Sequence, residues 1–391
     1  MKHLFVTQDY APDRGGMARR HVELCRRFGD ATNSMAVSTV ANAEAAQFDA
    51  AEDYTIVRQP FGFSRANRFS NQIRWARSLV TDWKDVDAIH CGNIRPVGYS
   101  VYWAHRRLGI PYLLYVNGGD LLRERRKSAS LLKRLTAREI FSGAAGVVAT
   151  SSWVAELSAD VMREVGVTNP PPVAAIGLGT DPAHFSPARN SGTLRERWGI
   201  GDAPVLLTVA RLVPHKGQDA GIRVLAELQE EFPELRYVLV GDGHYEGDLR
   251  RLAAELGVAG RVIFAGNLSD DELPEAYATS TVYLGLSRID REINAEGFGI
   301  SFLEAAASGV PSVAGDSGGV SSAVLDGETG FLVSPADVGA AASKVRLLLA
   351  EPALRKAMGA AGRTAVETHF NWDRVAHDTR RFTLDMISKS A

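Results

Sequence analysis

Cysteine is scarce: Cys25 and Cys91 are the only two in 391 residues, far apart and without metal-ligand spacing. Neither a disulfide framework nor a zinc site is supported, and a reducing cytoplasm is the simplest compartment. An excess of one charge sign is missing too. Lys and Arg number 44 against 46 Asp and Glu, a formal net charge of −2, so no global field recruits nucleic acid. Long apolar runs are absent from the start of the chain, where Leu4-Phe5-Val6 stops short of Asp9. That run is too short for a signal peptide or a membrane span and reads as a first buried strand. No repeat, low-complexity tract or long linker interrupts the sequence. With 45% hydrophobic and 23% charged residues, the composition is that of an ordinary globular protein, and the length suggests two or three domains.

What is present is a strand–loop–helix pattern that runs twice. Leu4 to Thr7, Met35 to Thr39, Ile56 to Arg58, Ala88 to Cys91, Ile110 to Val116, Gly146 to Thr150 and Val173 to Ile176 read as strands of a first half. Asn169-Pro170-Pro171-Pro172 and the Pro/Gly-rich run through Phe185 suit a hinge, which places a boundary near residue 186. The pattern restarts with strands at Pro204 to Ala210, Tyr237 to Val240 and Arg261 to Ala265. Alternation of this kind predicts an α/β protein with doubly wound parallel sheets, whose ligand edge is the carboxyl end of the strands.

Several loops at those ends carry chemistry. Gly15-Gly16 precedes a helix from Met17 to Phe28, a tight turn that also lets a ligand approach the backbone. Asn117-Gly118-Gly119-Asp120 ends the strand Ile110 to Val116. Leu121 to Ile140 interleaves leucines with seven cations, which fits either a solvated helix face or a surface for an anionic membrane or acceptor. Asp85-Val86-Asp87 has the form of a D-x-D metal motif, but its acids flank a strand entrance. In the second half, Arg211 and Lys216 bracket one loop and can hold a diphosphate, Arg as a fork and Lys as a point charge. Gly241-Asp242-Gly243 follows the next strand. Its third glycine comes one residue late for a dinucleotide fingerprint, and the following strand ends without an acid, which disfavours a nicotinamide enzyme.

The centre of the second half is Glu296-Gly297-Phe298-Gly299-Ile300-Ser301-Phe302-Leu303-Glu304. It reads as a glycine-loosened turn entering a short helix that ends at Gly309, with Pro311 beyond. One acid stands ahead of the helix, the other within its first two turns, and the unpaired N–H groups between them form a phosphate seat. This E-x7-E spacing resembles the signature of retaining glycosyltransferases. With Gly309-Val310-Pro311 through Gly319, and Asp326-Gly327-Glu328-Thr329-Gly330 through Val333, the block is similar to the C-terminal half of glycosyltransferase family 4.

That resemblance implies the GT-B arrangement: two facing Rossmann-like domains with an interdomain cleft, an acceptor-binding domain at 1–185 joined by a last helix at 373–391, and a donor-binding domain at 186–372. It implies a metal-independent, retaining hexosyl transfer from a nucleoside diphosphate sugar, with no cofactor. GDP-mannose is slightly favoured, by similarity to phosphatidylinositol mannoside mannosyltransferases, over UDP-glucose or UDP-N-acetylglucosamine. Catalytic roles fall to Arg211, Lys216, Glu296 and Asn117. Asn117 stands where related enzymes carry a histidine, and an amide cannot take a proton near neutral pH. Donor contacts fall to Gly16, Gly241, Gly243, Asn267, Leu268, Phe298, Gly299, Ile300 and Glu304. The acceptor is a lipid, glycan or small molecule, and the location is cytoplasmic with peripheral attachment to the inner membrane face as an option. The alternative, prompted by Asn117, is a catalytically silent sugar-nucleotide-binding protein.

Overall fold

Thirteen short strands rich in Val, Leu, Ile and Tyr, most of them buried, assemble into two wholly parallel sheets in the computed structural model, which describes residues 1–13, 15–63, 68–290 and 294–390. Arg14, in the loop expected over Gln8 to Gly16, lies outside the described residues. Strands covered by helices on both faces lose the apolar/polar alternation of a half-exposed sheet, and these read as near-continuous apolar runs.

The first unit comprises Met1–Leu178 with Trp372–Ala391. Its strands are β1 (Lys2–Val6), β2 (Ser34–Val40), β3 (Thr55–Gln59), β4 (Ala88–Cys91), β5 (Tyr112–Val116), β6 (Gly146–Ala149) and β7 (Val173–Ala175). They lie in the order β3-β2-β1-β4-β5-β6-β7. The helix Trp372–Ser390 packs on the helix Gly16–Phe28 and ties to it through Arg27 Nε, which donates to Asp373 at 2.9 Å. Phe382 and Met386 of the same helix sit so close to Gly146 that a Cβ there would meet both at 2.9 Å.

The second unit spans Gly179–Asn371. Its strands are β8 (Val205–Val209), β9 (Arg236–Val240), β10 (Val262–Gly266), β11 (Val282–Gly285), β12 (Ser312–Gly315) and β13 (Gly330–Val333), ordered β10-β9-β8-β11-β12-β13. The division at Leu178/Gly179 falls before the Pro/Gly-rich run has ended, where the sequence placed it near 186. Pro172 already serves the first sheet, its carbonyl accepting the Val147 N–H at 2.8 Å.

Each sheet reverses its strand order at one place, between β1 and β4 in the first unit and between β8 and β11 in the second. Loops leaving such neighbours at their carboxyl ends diverge and open a crevice for a ligand. In the second unit those two loops are the one carrying Arg211 and Lys216 and the one leading to Glu296. The helix Ile300–Ala307 follows, packed on the helix Pro352–Thr368 through small residues. A Cβ on Gly359 would strike the Gly309 carbonyl oxygen at 2.0 Å, and Arg363 Nη1 donates to the Ala307 carbonyl at the helix end at 2.5 Å.

Candidate active site

Lys216 and Glu296 stand 80 residues apart in sequence, and the β8–β11 pairing brings them together. Lys216 Nζ donates to Glu296 Oε2 at 2.5 Å, with both side chains about four-fifths buried (20% and 19% exposed). Three close approaches fix this geometry. Gly217, at φ 76°, lies so near the Leu286 carbonyl that a Cβ would come within 1.9 Å of its oxygen. Across the same seam the His215 carbonyl accepts the Arg288 N–H at 2.9 Å. Asp219 then takes both Nη atoms of Arg288 at 3.0 and 3.1 Å, which clamps the loop after β11 to the helix Gln218–Leu228. The Glu296 backbone is held from the other side, its carbonyl accepting the Gly319 N–H at 2.8 Å.

Arg211 projects from the same loop with an exposed side chain, while its carbonyl takes an N–H of the buried Gln218 amide at 2.9 Å. Burial, then the charges of Lys216 and Arg211, brings His215 down to about 4. His215 is therefore neutral at pH 7 and contributes no third cation. The Gly241-Asp242-Gly243 turn locks onto this loop. The Asp242 carbonyl accepts the Leu212 N–H at 2.7 Å, and a Cβ on Gly241 or Gly243 would meet the carbonyl oxygen of Ala210 or Leu212 at 2.2 Å. Asn267, exposed at the end of β10, donates to Asp242 at 2.7 Å, and Leu268 beside it is half-buried. Arg211, Lys216, Gly241, Gly243, Asn267 and Glu296 thus belong to loops at the carboxyl edge of one sheet.

Gly299, buried, takes φ 100° ahead of the helix Ile300–Ala307, a conformation that costs a side-chain-bearing residue energy, at the end of the helix where the first N–H groups lack intrahelical partners. Phe298 is different from its neighbours: at 2% exposure its ring packs edge-on against Phe370, so only its backbone can face a ligand. Glu304 is 6% exposed, and its Oε2 accepts the Tyr277 hydroxyl at 2.6 Å. Tyr277 was invisible to sequence reasoning, since nothing in Pro274-Glu275-Ala276-Tyr277 signals a partner 27 residues on. The Arg288–Asp219 clamp was equally hidden.

In the first unit Asn117 caps the helix Gly118–Lys127, with Asp120 accepting the Asn117 N–H at 2.8 Å. Its amide also donates to Met17 Sδ at 3.0 Å, which places it beside the exposed Gly16 at the start of the helix Gly16–Phe28. The stretch Leu121 to Ile140 is two helices, Gly118–Lys127 and Leu131–Ser142, parted at Ser128-Ala129-Ser130. Asp87 is tied down locally, its carboxylate accepting the Lys2 N–H at 2.7 Å. His90 lies in the core, between His3 and the Tyr115 hydroxyl. Among the described residues no group of three His, Cys, Asp or Glu is placed to hold a metal, and no helix is long and apolar enough to cross a membrane.

Comparison with known proteins places this geometry. Residues 190–365 match the family model described as Glycosyl transferases group 1, and residues 14–183 match that of Glycosyltransferase Family 4. A GDP-mannose-dependent alpha-(1-6)-phosphatidylinositol monomannoside mannosyltransferase of Mycobacterium tuberculosis is 32% identical over 380 residues, covering 95% of each chain. The chain belongs to glycosyltransferase family 4. A Corynebacterium glutamicum relative, a GDP-mannose-dependent monoacylated alpha-(1-6)-phosphatidylinositol monomannoside mannosyltransferase, is 27% identical over 379 residues, again 95% of each. The Mycolicibacterium smegmatis relative is 43% identical over 196 residues, a match of 50% of this chain and 51% of that one. Among solved structures, Anabaena HepE in complex with UDP and glucose superposes with a TM-score of 0.78 at 22% identity, covering 98% and 99% of the two chains. Sucrose-phosphate synthase from Thermosynechococcus elongatus gives 0.78 at 20%, covering 99% of each. The fold of this family 4 glycosyltransferase is GT-B.

Proposed function

We propose that this family 4 glycosyltransferase moves a hexosyl group, with retention and without a metal, from a nucleoside diphosphate sugar to an acceptor hydroxyl. GDP-mannose is the favoured donor over UDP-glucose or UDP-N-acetylglucosamine, because the relatives matched along nearly their whole length are named as GDP-mannose-dependent. The Lys216–Glu296 pair carries the reading. A departing diphosphate builds negative charge, which Lys216, Arg211 and the N–H groups at Gly299-Ile300 offset through fixed donors. Glu296 holds Lys216 in place before the donor arrives and is the group that receives the sugar hydroxyls. Glu304, oriented by Tyr277, serves the ribose. Gly241, Gly243, Asn267 and Leu268 line the nucleotide, and the Phe298 backbone joins the diphosphate seat; in the acceptor-binding unit the proposed ligand contacts are Gly16 and Asn117, which lie side by side there.

The decisive test is the product anomer, read by NMR after incubation with GDP-mannose and a phosphatidylinositol acceptor in EDTA. Retention in chelator supports the proposal; inversion, or activity only with added divalent metal, contradicts it. A second reading, a binding protein without turnover, draws on the Asn117 amide engaged with Met17. Donor hydrolysis in the wild type that disappears in Glu296→Ala removes it.

Leu131, Leu132 and Leu135 are 70%, 68% and 41% exposed beside Lys133 and Arg134. Exposed leucines interleaved with cations suit an anionic leaflet, which supports a cytoplasmic enzyme peripheral on the inner membrane face. Co-sedimentation that ignores the anionic lipid content of the vesicles would oppose it.

A further inference from the structure

Arg363 stands on the helix Pro352–Thr368, whose Gly359 and Gly362 lie against Gly309 and Ala306 where the helix Ile300–Ala307 ends. Its guanidinium spans two pieces of chain. Nη1 donates to the Ala307 carbonyl at 2.5 Å and to the Phe185 carbonyl at 3.2 Å, Nη2 donates to the Pro182 carbonyl at 3.3 Å, and Nε pairs with Glu367 Oε1 at 2.9 Å. Ala307 closes its helix, and Pro182 and Phe185 belong to irregular chain, so their carbonyls lack a regular ladder partner. A planar fork of five N–H donors can serve all three at once, which a lysine ammonium on its flexible stem cannot.

Both pieces lead to the same hydrogen bond. Ala307 lies one turn beyond Glu304 on a single short helix. Phe185, fully buried, sets its ring edge-on against Tyr277, with centroids 5.6 Å apart at 83°. The Tyr277 hydroxyl is the group that donates to Glu304 Oε2 at 2.6 Å. One guanidinium therefore fixes the helix that carries the acceptor and the segment that backs the donor's ring. Glu304 is 6% exposed, and a buried carboxylate keeps its direction through the hydrogen bonds it accepts.

We propose that Arg363 is a positioning residue for the nucleoside: through Ala307 on one side, and through Phe185 and Tyr277 on the other, it holds the Glu304 carboxylate where the ribose hydroxyls of the donor arrive. The inference rests on the transferase reading and on the ribose role given there to Glu304. Arg363 acts through Glu304 and takes no part in the chemistry.

The test uses the full chain and calorimetric titration of whichever of GDP or UDP binds, alongside its 2′-deoxy and 3′-deoxy forms. The wild type is expected to prefer the ribonucleotide over at least one deoxy form by about tenfold or more, the worth of a hydrogen bond to a charged acceptor. Arg363→Lys, which keeps the charge and loses the fork, is expected to cut that preference by about threefold or more, the larger loss falling on the ribonucleotide. Phe185→Leu, which withdraws the ring behind Tyr277, is expected to do the same. The ratio decides, because a merely structural role for Arg363 weakens ribo and deoxy forms alike and leaves it unchanged. An unchanged ratio in Arg363→Lys, or in Phe185→Leu should the lysine variant fail to fold, overturns the inference. A wild type that binds ribo and deoxy forms equally overturns it together with the ribose role of Glu304. Failure of any nucleotide to bind sinks the transferase reading on which both stand.

Discussion

Removing Lys216 separates the two duties assigned to it. In the unliganded protein its ammonium neutralises Glu296 at 2.5 Å, in a site four-fifths shielded from water. Two unit charges about 4 Å apart near a protein surface attract by roughly 4 kcal/mol, much of it offset by desolvation and side-chain ordering, which leaves a net coupling of about 1–2 kcal/mol. For a domain of this size that corresponds to a fall in Tm of about 3–6 °C in Lys216→Ala. Because the same partner is lost either way, Lys216→Ala, Glu296→Ala and the double variant are expected to be non-additive by that coupling. In turnover, Lys216→Ala removes a donor that faces the developing diphosphate charge, worth about 3 kcal/mol or on the order of a hundredfold in kcat/KM. Denaturant melts of the four proteins measure the first quantity and initial rates with a sugar nucleotide the second. Strict additivity of the stabilities, or a Lys216→Ala enzyme with wild-type turnover, would refute the reasoning.

Tyr277→Phe deletes the hydroxyl that Glu304 accepts at 2.6 Å in the interior, so stability should drop by about 1–3 kcal/mol and nucleotide affinity with it, measured by melts with and without nucleotide. Gly217→Ala, where a Cβ would lie 1.9 Å from the Leu286 oxygen at φ 76°, should lose soluble protein or fall by at least about 3 kcal/mol; a variant that melts like the wild type would mean the seam is not so tight. Burial brings the imidazole of His21 down to about 3 and holds His90 well below its usual range. In the unfolded chain both take protons near pH 6.5, so stability is lost as pH falls from about 6.5 toward 3, by about 1.4 kcal/mol per pH unit for each such group. Asp120, raised to about 7 by burial, binds its proton in the folded state first and works against this trend between about pH 7 and 4. A Tm that rises from pH 6.5 to 4.5 would contradict the balance, in which the depressed histidines His3, His21, His90 and His215 outnumber the raised carboxyls of Asp9 and Asp120.

Much of the fold was legible because parallel strands announce themselves as short Val/Leu/Ile runs, and because helix ends carry local chemistry. Gly309, at φ 72° just past the helix Ile300–Ala307, and the Pro-started helix Pro352–Thr368 follow from single residues. The break between Lys127 and Leu131 was not legible, since Ser128-Ala129-Ser130 contains neither glycine nor proline and its helix propensity is tolerable. Proline marks irregular backbone without saying which sheet the segment joins, so the Pro/Gly-rich run shows that a division is near without fixing its residue. At the candidate site, residue types and loop positions could be read, but partnerships could not. Lys216 meets Glu296 because β11 lies beside β8, and that adjacency is a property of strand order. Tyr277 reaches Glu304, and Asp219 reaches Arg288, through packing that no local pattern records.

The measurement that bears most directly on the central claim is a melting-temperature screen of the wild type and Lys216→Ala against GDP, UDP and ADP. Ligands that bind only the folded state raise Tm. The account predicts a rise with one of the three nucleotides in the wild type and its loss, wholly or largely, in Lys216→Ala. No rise with any of them, or an equal rise in both proteins, would contradict it.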